Sequence, residues 1–189
     1  GSEMCIRDRQ TYDRALPLTD KIYVVTSAPI LDITKEQLPE VGDGIICEPS
    51  RRGIANALYL GLRAQLQDGV DENEPIFILW SDHLIRDTTL FSDCVEKACK
   101  AVESGANLVQ FGVEPTHAST QLGYIKKGKE TENSQLYSLD SFKYQPDQET
   151  ANEWYRSGEY LWNTGYFVTT RKFILQEIQR ESPDSRSQR

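Results

Sequence analysis

Four short stretches of the sequence carry residue types that could bind or act on a small charged ligand. The first is Ser81-Asp82-His83, where the apolar run Pro75 to Trp80 delivers a carboxylate at its carboxyl end. A carboxylate so placed can hold Mg2+ beside a phosphate. An Asp there can equally bond turn amides. The second is Glu48-Pro-Ser-Arg-Arg-Gly-Ile-Ala55, a strand end, a glycine and a helix start. Backbone N–H groups at such an entry cradle a base or a phosphate, although a plain helix entry with solvated arginines reads the same way. The third and fourth are Leu122-Gly-Tyr-Ile125 and Leu161-Trp-Asn-Thr-Gly-Tyr-Phe167. Glycines flanked by aromatics let a backbone approach a sugar, and Asn can bond its hydroxyls. Taken singly, each is also a turn packed by aromatic rings. No paired acid and base stands out.

The elements that must position these residues follow from periodicity. Ile22 to Thr26 is a short β-branched run of the kind that forms a buried strand. Ile33 to Leu38 predicts a helix that stops near Pro39. Gly44 to Glu48 is a second strand, ended by Pro49, and Arg51 to Leu66 is an Ala- and Leu-rich helix. Pro75 to Trp80 is a third strand. Asp87 is placed to cap a helix whose Phe91, Cys94, Val95, Ala98 and Val102 fall on one face. Asn107 to Val113 is a fourth strand. Beyond Pro115 the texture changes: a polar loop at Thr116 to Thr120, alternating strands at Gly123 to Ile125 and Leu136 to Tyr144 around a polar turn at Gly128 to Ser134. A helix capped by Asp147 and running to about Arg156, a strand from Tyr160 to Thr170 and a helix from Arg171 to Gln179 follow. Strands alternating with helices predict an α/β class, a Rossmann-like doubly wound and mostly parallel sheet, with ligands at the carboxyl ends of its strands.

The chain has 189 residues, 38% hydrophobic and 26% charged, which reads as one globular domain. Its 21 basic and 29 acidic side chains leave a net charge of −8, which argues against nucleic acid as a partner. An acidic protein can still bind a nucleotide through a local nest of amides and a metal. No apolar run approaches the roughly 20 residues of a membrane span, so no membrane partner is expected, and the expected location is cytoplasmic. The four cysteines, Cys5, Cys47, Cys94 and Cys99, form no Cys-x-x-Cys pair and read as reduced buried thiols. The two histidines have no ligand-spaced partner, which excludes a structural zinc site. Residues 1–9 show no strand or helix period and read as a tag or artefact, 10–182 as a partial domain, and 183–189 as a frayed tail.

In this order and spacing the motifs resemble the GDP-mannose pyrophosphorylases, a family of sugar-1-phosphate nucleotidyltransferases. Gln10 to Arg14 resembles the end of that family's first helix, and Glu48 to Ala55 its Glu-Pro-x-x-Arg-Asn-Thr-Ala segment. Trp80-Ser-Asp-His83 resembles Pro-Ala-Asp-His. Phe111 to Thr116 with Gly123-Tyr-Ile125, and Leu161 to Phe167, resemble Phe-Gly-Ile-x-Pro-Thr, Gly-Tyr-Gly-Tyr-Ile and Leu-Trp-Asn-Ser-Gly-Met-Phe. The resemblance covers about Gln10 to Ser182. It implies the nucleotide-diphospho-sugar transferase fold and transfer of a guanylyl group from GTP to mannose-1-phosphate. Asp82 would hold Mg2+ or another divalent cation at the phosphates, as the catalytic and metal residue. Arg52, Gly53, Ala55 and Ser81 would lie by the nucleotide, and Gly123, Tyr124, Asn163 and Gly165 along the sugar.

The chain departs from the family in three places. Tyr144 and Gln145 stand where the family has a Glu for the sugar hydroxyls and a Lys for the sugar phosphate. A neutral Gln cannot replace the charge that Lys brings to a phosphate. Gly53-Ile54 replaces Asn-Thr and is similar to related adenylyl- and thymidylyltransferases. Nothing before Gln10 resembles the family's first strand and Gly-x-Gly-Thr-Arg loop, and its second metal-binding Asp would lie beyond Arg189. The resemblance therefore implies a truncated, inactive guanylyltransferase. It leaves open a nucleotidyltransferase for another base or sugar, and a non-catalytic relative that binds a sugar nucleotide. A homo-oligomer is compatible with either.

Overall fold

The computed structural model describes residues 3–50, 52–131 and 135–181, with the side chains of 3–5 and 181 outside the description. Its backbone divides into two compact units. One runs to Val109 and resumes at Val168, and the other is Gln110–Phe167.

In the first unit, β1 (Val24–Ser27) and β2 (Ile45–Glu48) pair in parallel, Val24 opposite Ile45 and Ser27 opposite Glu48. Helix α2 (Leu31–Gln37) joins them, and it ends before Pro39 as its sequence requires. Its Thr34 hydroxyl donates to Ile30 O at 2.9 Å and lies 3.2 Å from the Thr26 hydroxyl of β1, so two buried polar groups satisfy each other. Helix α3 (Ile54–Gln67) follows β2, and β3 (Pro75–Ile78) is two residues shorter than the apolar run that predicts it. In α4 (Thr88–Glu103) the expected face is buried at Phe91, Val95, Ala98 and Val102, with Cys94 at its margin. Asp87 caps this helix by accepting from Leu90 N at 2.9 Å. The unit closes through α6 (Arg171–Glu181): Lys172 N donates to Glu72 O at 3.0 Å, and the buried Arg171 guanidinium donates to Val70 O at 2.8 Å.

Glu3–Ala15 forms helix α1, although Glu3 to Arg9 shows no amphipathic period. Arg9 bonds Asp13 one turn on at 2.9 Å and Glu40 at 2.7 Å. The tail 182–189 lies outside the described residues, as does the tip of the turn at 132–134.

The second unit is antiparallel, which makes the sheet of the expected α/β fold a mixed one. Strand β5 (Gly123–Glu130) pairs antiparallel with β6 (Tyr137–Tyr144) and with β7 (Tyr160–Thr170). Strands β4 (Leu108–Val113) and β7 contribute residues to both units. Helix α5 (Gln148–Ser157), capped by Asp147 through Thr150 N at 2.8 Å, covers β5. Its Trp154 stacks on Tyr160 at 4.8 Å and meets the edge of the fully buried Tyr124 at 5.1 Å. The Tyr124 hydroxyl accepts from Ser119 N at 2.9 Å and donates to Ser119 O at 3.0 Å, which fixes the loop before β5.

Cys47, Cys94 and Cys99 are free thiols, half-buried, and burial pushes the Cys94 and Cys99 thiols up from their ordinary values. Among the described residues no helix is long and apolar enough to cross a membrane.

Two substitutions test this packing. A Cβ on Gly44 would sit 2.8 Å from Ile22 O, a backbone atom that cannot swing aside. Gly44→Ala should therefore cost about 1–3 kcal/mol in urea unfolding, as overpacking does. Tyr124→Phe leaves both backbone groups of Ser119 without their partner. It should cost about 1–3 kcal/mol and speed amide exchange at Ser119, whereas unchanged exchange there would show that the hydroxyl does not hold the loop.

Candidate functional site

The expected site residues fall into two sets, one in each unit. In the first unit, β2 ends at Glu48, whose carboxylate turns back to accept from Arg52 N at 3.2 Å. Arg52 Nε donates to Ser50 Oγ at 3.1 Å, and its carbonyl accepts from Asn56 Nδ2 at 2.7 Å. These bonds shape the entry to α3. Gly53 caps the helix at φ 92°, ψ 170°, a conformation that side chains oppose. No side chain caps the helix and no acidic residue occupies its first turn. The amides of Ile54 and Ala55 therefore keep the positive end of the helix dipole, and Arg52 adds a charge beside it. The arrangement suits an anion. Arg52, Gly53 and Ala55 are all exposed there; Arg51 lies outside the described residues.

Asp82 sits with Ser81 on the turn after β3. Its side chain is 70% exposed and its Oδ1 lies 3.7 Å from His83 Nε2. Among the described residues no group of three or more His, Cys, Asp or Glu is arranged to hold a metal ion. A lone carboxylate does not make a site for a bare cation. It does fit Mg2+, which keeps several waters and binds through one or two carboxylates together with substrate phosphates.

A cavity of about 470 Å3 in this unit includes none of these residues; it is lined by Tyr12, Leu16, Tyr23, Val41 and Asp68, among others. It opens at the opposite, amino-terminal ends of β1 and β2. Lys21 and Tyr23 both bond Asp68 there, at 2.7 Å each, which holds the Asp68 carboxyl below its ordinary value.

In the second unit the ladder aligns the residues expected along the sugar. Gly123 stands opposite Tyr144 on β6, and Tyr124 opposite Trp162 on β7. Continued by one residue, the second ladder sets Asn163 beside Gly123. Tyr144, Gly123 and Asn163 thus form a row across three strands, on the face opposite the buried Tyr124. Asn163 Oδ1 accepts from Gly165 N at 3.0 Å, and Gly165 takes φ +75°. Thr164 Oγ1 donates to Phe111 O at 2.8 Å and accepts from Tyr166 N at 3.1 Å. These bonds fix the course of β7 through Asn163–Tyr166. Gln145 follows the row at φ +45°, an unusual conformation for a side-chain-bearing residue, just before Pro146.

The two sets serve unequally. Tyr124 is fully buried and committed to the core, and Gly123 is buried beneath the Phe142 and Tyr144 rings. Phe142, on the same face as Tyr144, leans over Gly123 and was not singled out by its motif. The register of β5 and β6 reveals it, and the spacing of Phe142 and Tyr144 on an alternating strand was the available signal.

Comparison with known proteins agrees with this architecture. Residues 11–187 match the family model for nucleotidyl transferases. The chain is similar to the mannose-1-phosphate guanylyltransferase RfbM of Salmonella typhimurium, 35% identical over 155 residues, covering 80% of this chain and 32% of the relative. It is 30% identical to a mannose-1-phosphate guanylyltransferase of Escherichia coli, covering 97% of this chain and 45% of the relative. The chain thus spans a third to a half of the length of these relatives. A solved structure described as mannose-1-phosphate geranyltransferase, from Thermus thermophilus, superposes with a TM-score of 0.76 at 26% identity, covering 96% of this chain and 52% of that one. The mixed sheet, the glycine-capped α3 and the family match together show that the chain belongs to the nucleotidyl transferase family, related within it to the mannose-1-phosphate guanylyltransferases.

Proposed function

We propose that this chain carries the nucleotide-side and sugar-side binding residues of an enzyme that transfers a guanylyl group from GTP to mannose-1-phosphate, giving GDP-mannose and pyrophosphate. The observation that carries this is the 35% identity with a mannose-1-phosphate guanylyltransferase across 80% of the chain, a span too long to leave out either unit.

In that reaction a phosphate oxygen of the sugar phosphate attacks the α-phosphorus of the nucleotide in line. A new P–O bond forms, the bond to the β-phosphate bridge breaks, and pyrophosphate takes the electron pair. The nucleophile is already an anion, so no group needs to remove a proton, and an acid–base pair is not required. Positioning and charge neutralisation remain. The amides of Ile54 and Ala55, with Arg52 and Ser81, are the groups here that can meet the nucleotide. Asp82 would hold a divalent cation shared with its phosphates, and that cation, when bound, supplies neutralisation of the leaving pyrophosphate. Tyr144, Gln145, Asn163 and Gly165 would receive the sugar phosphate, over the buried Gly123 and Tyr124.

A second reading is favoured by one residue. Gln145 brings no charge to a phosphate and is held at φ +45°. A relative that binds a sugar nucleotide without turning it over would tolerate this.

Binding and turnover separate the readings. GTP should bind about tenfold more tightly with Mg2+ than without it. Asp82→Ala should remove that Mg2+ effect and leave the melting temperature unchanged, because its side chain is 70% exposed. An Asp82→Ala protein that keeps the full effect would refute the metal assignment. No Gly-x-Gly-Thr-Arg loop occurs in the 189 residues. Pyrophosphate release by this chain alone from GTP and mannose-1-phosphate should therefore not exceed a blank, and measurable release would show that these residues suffice. Gln145→Lys should tighten mannose-1-phosphate binding by about five- to tenfold in a salt-sensitive way. If it changes nothing, Gln145 does not face the phosphate.

A further inference from the structure

Strand β6 is the last strand of its sheet: among the described residues it pairs with β5 and with no strand on its other side. It is eight residues long and exposed throughout, apart from the half-buried Ser141. An open edge of this length templates another strand unless something blunts it. Two features blunt this one. Lys126 stands opposite Ser141 and Lys127 opposite Leu139, so Asp140 is an extra residue, a bulge. Lys143, exposed beyond it, forms no ion pair among the described residues. The bulge also decides the faces. Without it Leu139 would alternate away from Phe142. With it, Leu139, Phe142 and Tyr144 share the face opposite Tyr124, where Lys127 lies 5.4 Å over the Tyr137 ring. Leu139 is 56% exposed, Phe142 46% and Tyr144 67%. Helix α5 packs its Trp154 on the Tyr124 face and leaves this apolar strip uncovered along the edge.

A second copy of the chain brings the same edge. Two identical strands pair antiparallel about a two-fold axis perpendicular to the sheet, which keeps each face on its own side. Residues that point the same way must then meet. Centring the pair on Lys143 would set two lysines against each other, and like charges directly opposite are destabilising. Centring it on Ser141 would drive the Asp140 bulge into the middle of the ladder, against Phe142. Centring it on Phe142 avoids both. Ser141 of each copy then faces Lys143 of the other, and Asp140 stands next to that pair, within reach of the lysine. Asp140 already lies 3.8 Å from Lys126 on β5, so its carboxylate would sit between two ammonium groups. The Phe142 rings meet on the apolar face. Each copy brings one Asp and one Lys, so the contact is neutral on a chain whose net charge of −8 opposes association elsewhere. We propose that β6 is a self-pairing edge: two copies join antiparallel through residues 141–144, centred on Phe142, with Lys143 of each bonded to Asp140 of the other. The bulge and the two charges, which block other registers, select this one.

The test is sedimentation equilibrium of the full chain from about 1 to about 300 µM, with amide exchange followed by mass spectrometry at both ends of that range. The mass should rise from 21.6 kDa towards twice that value, with a Kd on the order of 10 µM, as a short contact gives. Amides in residues 141–144 should exchange more slowly at the high concentration. Asp140→Lys and Lys143→Asp each oppose two like charges, and each should raise Kd about tenfold. The double variant Asp140→Lys/Lys143→Asp exchanges the charges and should return to within about threefold of wild type. Both positions are exposed, so the melting temperature should hold. Where a reversal unfolds the chain, Asp140→Asn and Lys143→Gln take its place, and each should weaken the dimer about threefold. A mass of 21.6 kDa at every concentration overturns the proposal. So does a dimer that neither charge change weakens. So does a dimer in which residues 141–144 exchange as fast as in the monomer, which puts the contact on another surface.

Discussion

The alternation of an antiparallel ladder is the constraint on which the sugar-side arrangement depends. Side chains on successive residues of a strand point to opposite faces, and residues opposite one another point to the same face. Tyr124 is fully buried against Trp154 and Tyr160 and bonded at both ends of the Ser119 backbone. Once it is fixed, Gly123 must face the other way, with Tyr144 on one side. Slipping β6 by one residue against β5 would turn Tyr144 to the face of Tyr124 and Lys143 to the face of Gly123. The core residue therefore sets the orientation of the row formed by Tyr144, Gly123 and Asn163. This is why a tyrosine inside a motif that resembles a sugar-binding signature can be a structural residue.

The first unit places its polar groups by a different rule. A parallel pair of strands ends with both carboxyl ends on one edge, and the loops that leave that edge start helices. The α3 entry is held by three bonds that all involve Arg52 and by a glycine in a conformation that a side chain would resist. One oxygen of Glu48 shapes the loop by accepting from Arg52 N. The absence of an acidic residue in the first turn of α3 leaves the amide dipoles uncompensated, whereas most helices place Asp or Glu there. Asp87 and Asp147 do that duty for α4 and α5, which separates the capping carboxylates from Asp82.

Much of this organisation was legible in the sequence. The helix caps Asp87 and Asp147, the buried face of α4 and the long strand β7 follow from local chemistry and periodicity, and these are strong signals over eight or more residues. The parallel pairing of β1 with β2 follows from the strand–helix–strand pattern. Three features were not legible, for physical reasons. Helix α1 begins at Glu3, and Glu3 to Arg9 offers no hydrophobic period to read. The hairpin of β5 and β6 was legible from alternation around a polar turn, but the antiparallel pairing of β5 with β7 was not, because a strand looks the same in either direction. The role of Tyr124 depends on which face α5 covers, a tertiary fact. The motif order identified the family, but it could not separate Tyr124, which anchors, from Tyr144, which is open.

The charge of the chain sharpens what its ligand sites can be. A protein of net charge −8 repels a polyanion at long range, so recognition of phosphate must come from short-range groups. Around the entry to α3 such groups are present: helix amides and Arg52, with the exposed carboxylate of Asp82 on the turn after β3. In the row of the second unit they are not, since Tyr144, Gln145 and Asn163 are all neutral. The two sets therefore differ in kind. On the proposed reading the first would meet charge and the second would hold a neutral ring. An in-line transfer between two phosphates needs its electrostatic neutralisation at the reacting phosphorus and its leaving group, while the sugar need only be held in place, and that is the division the proposed reaction would ask of them.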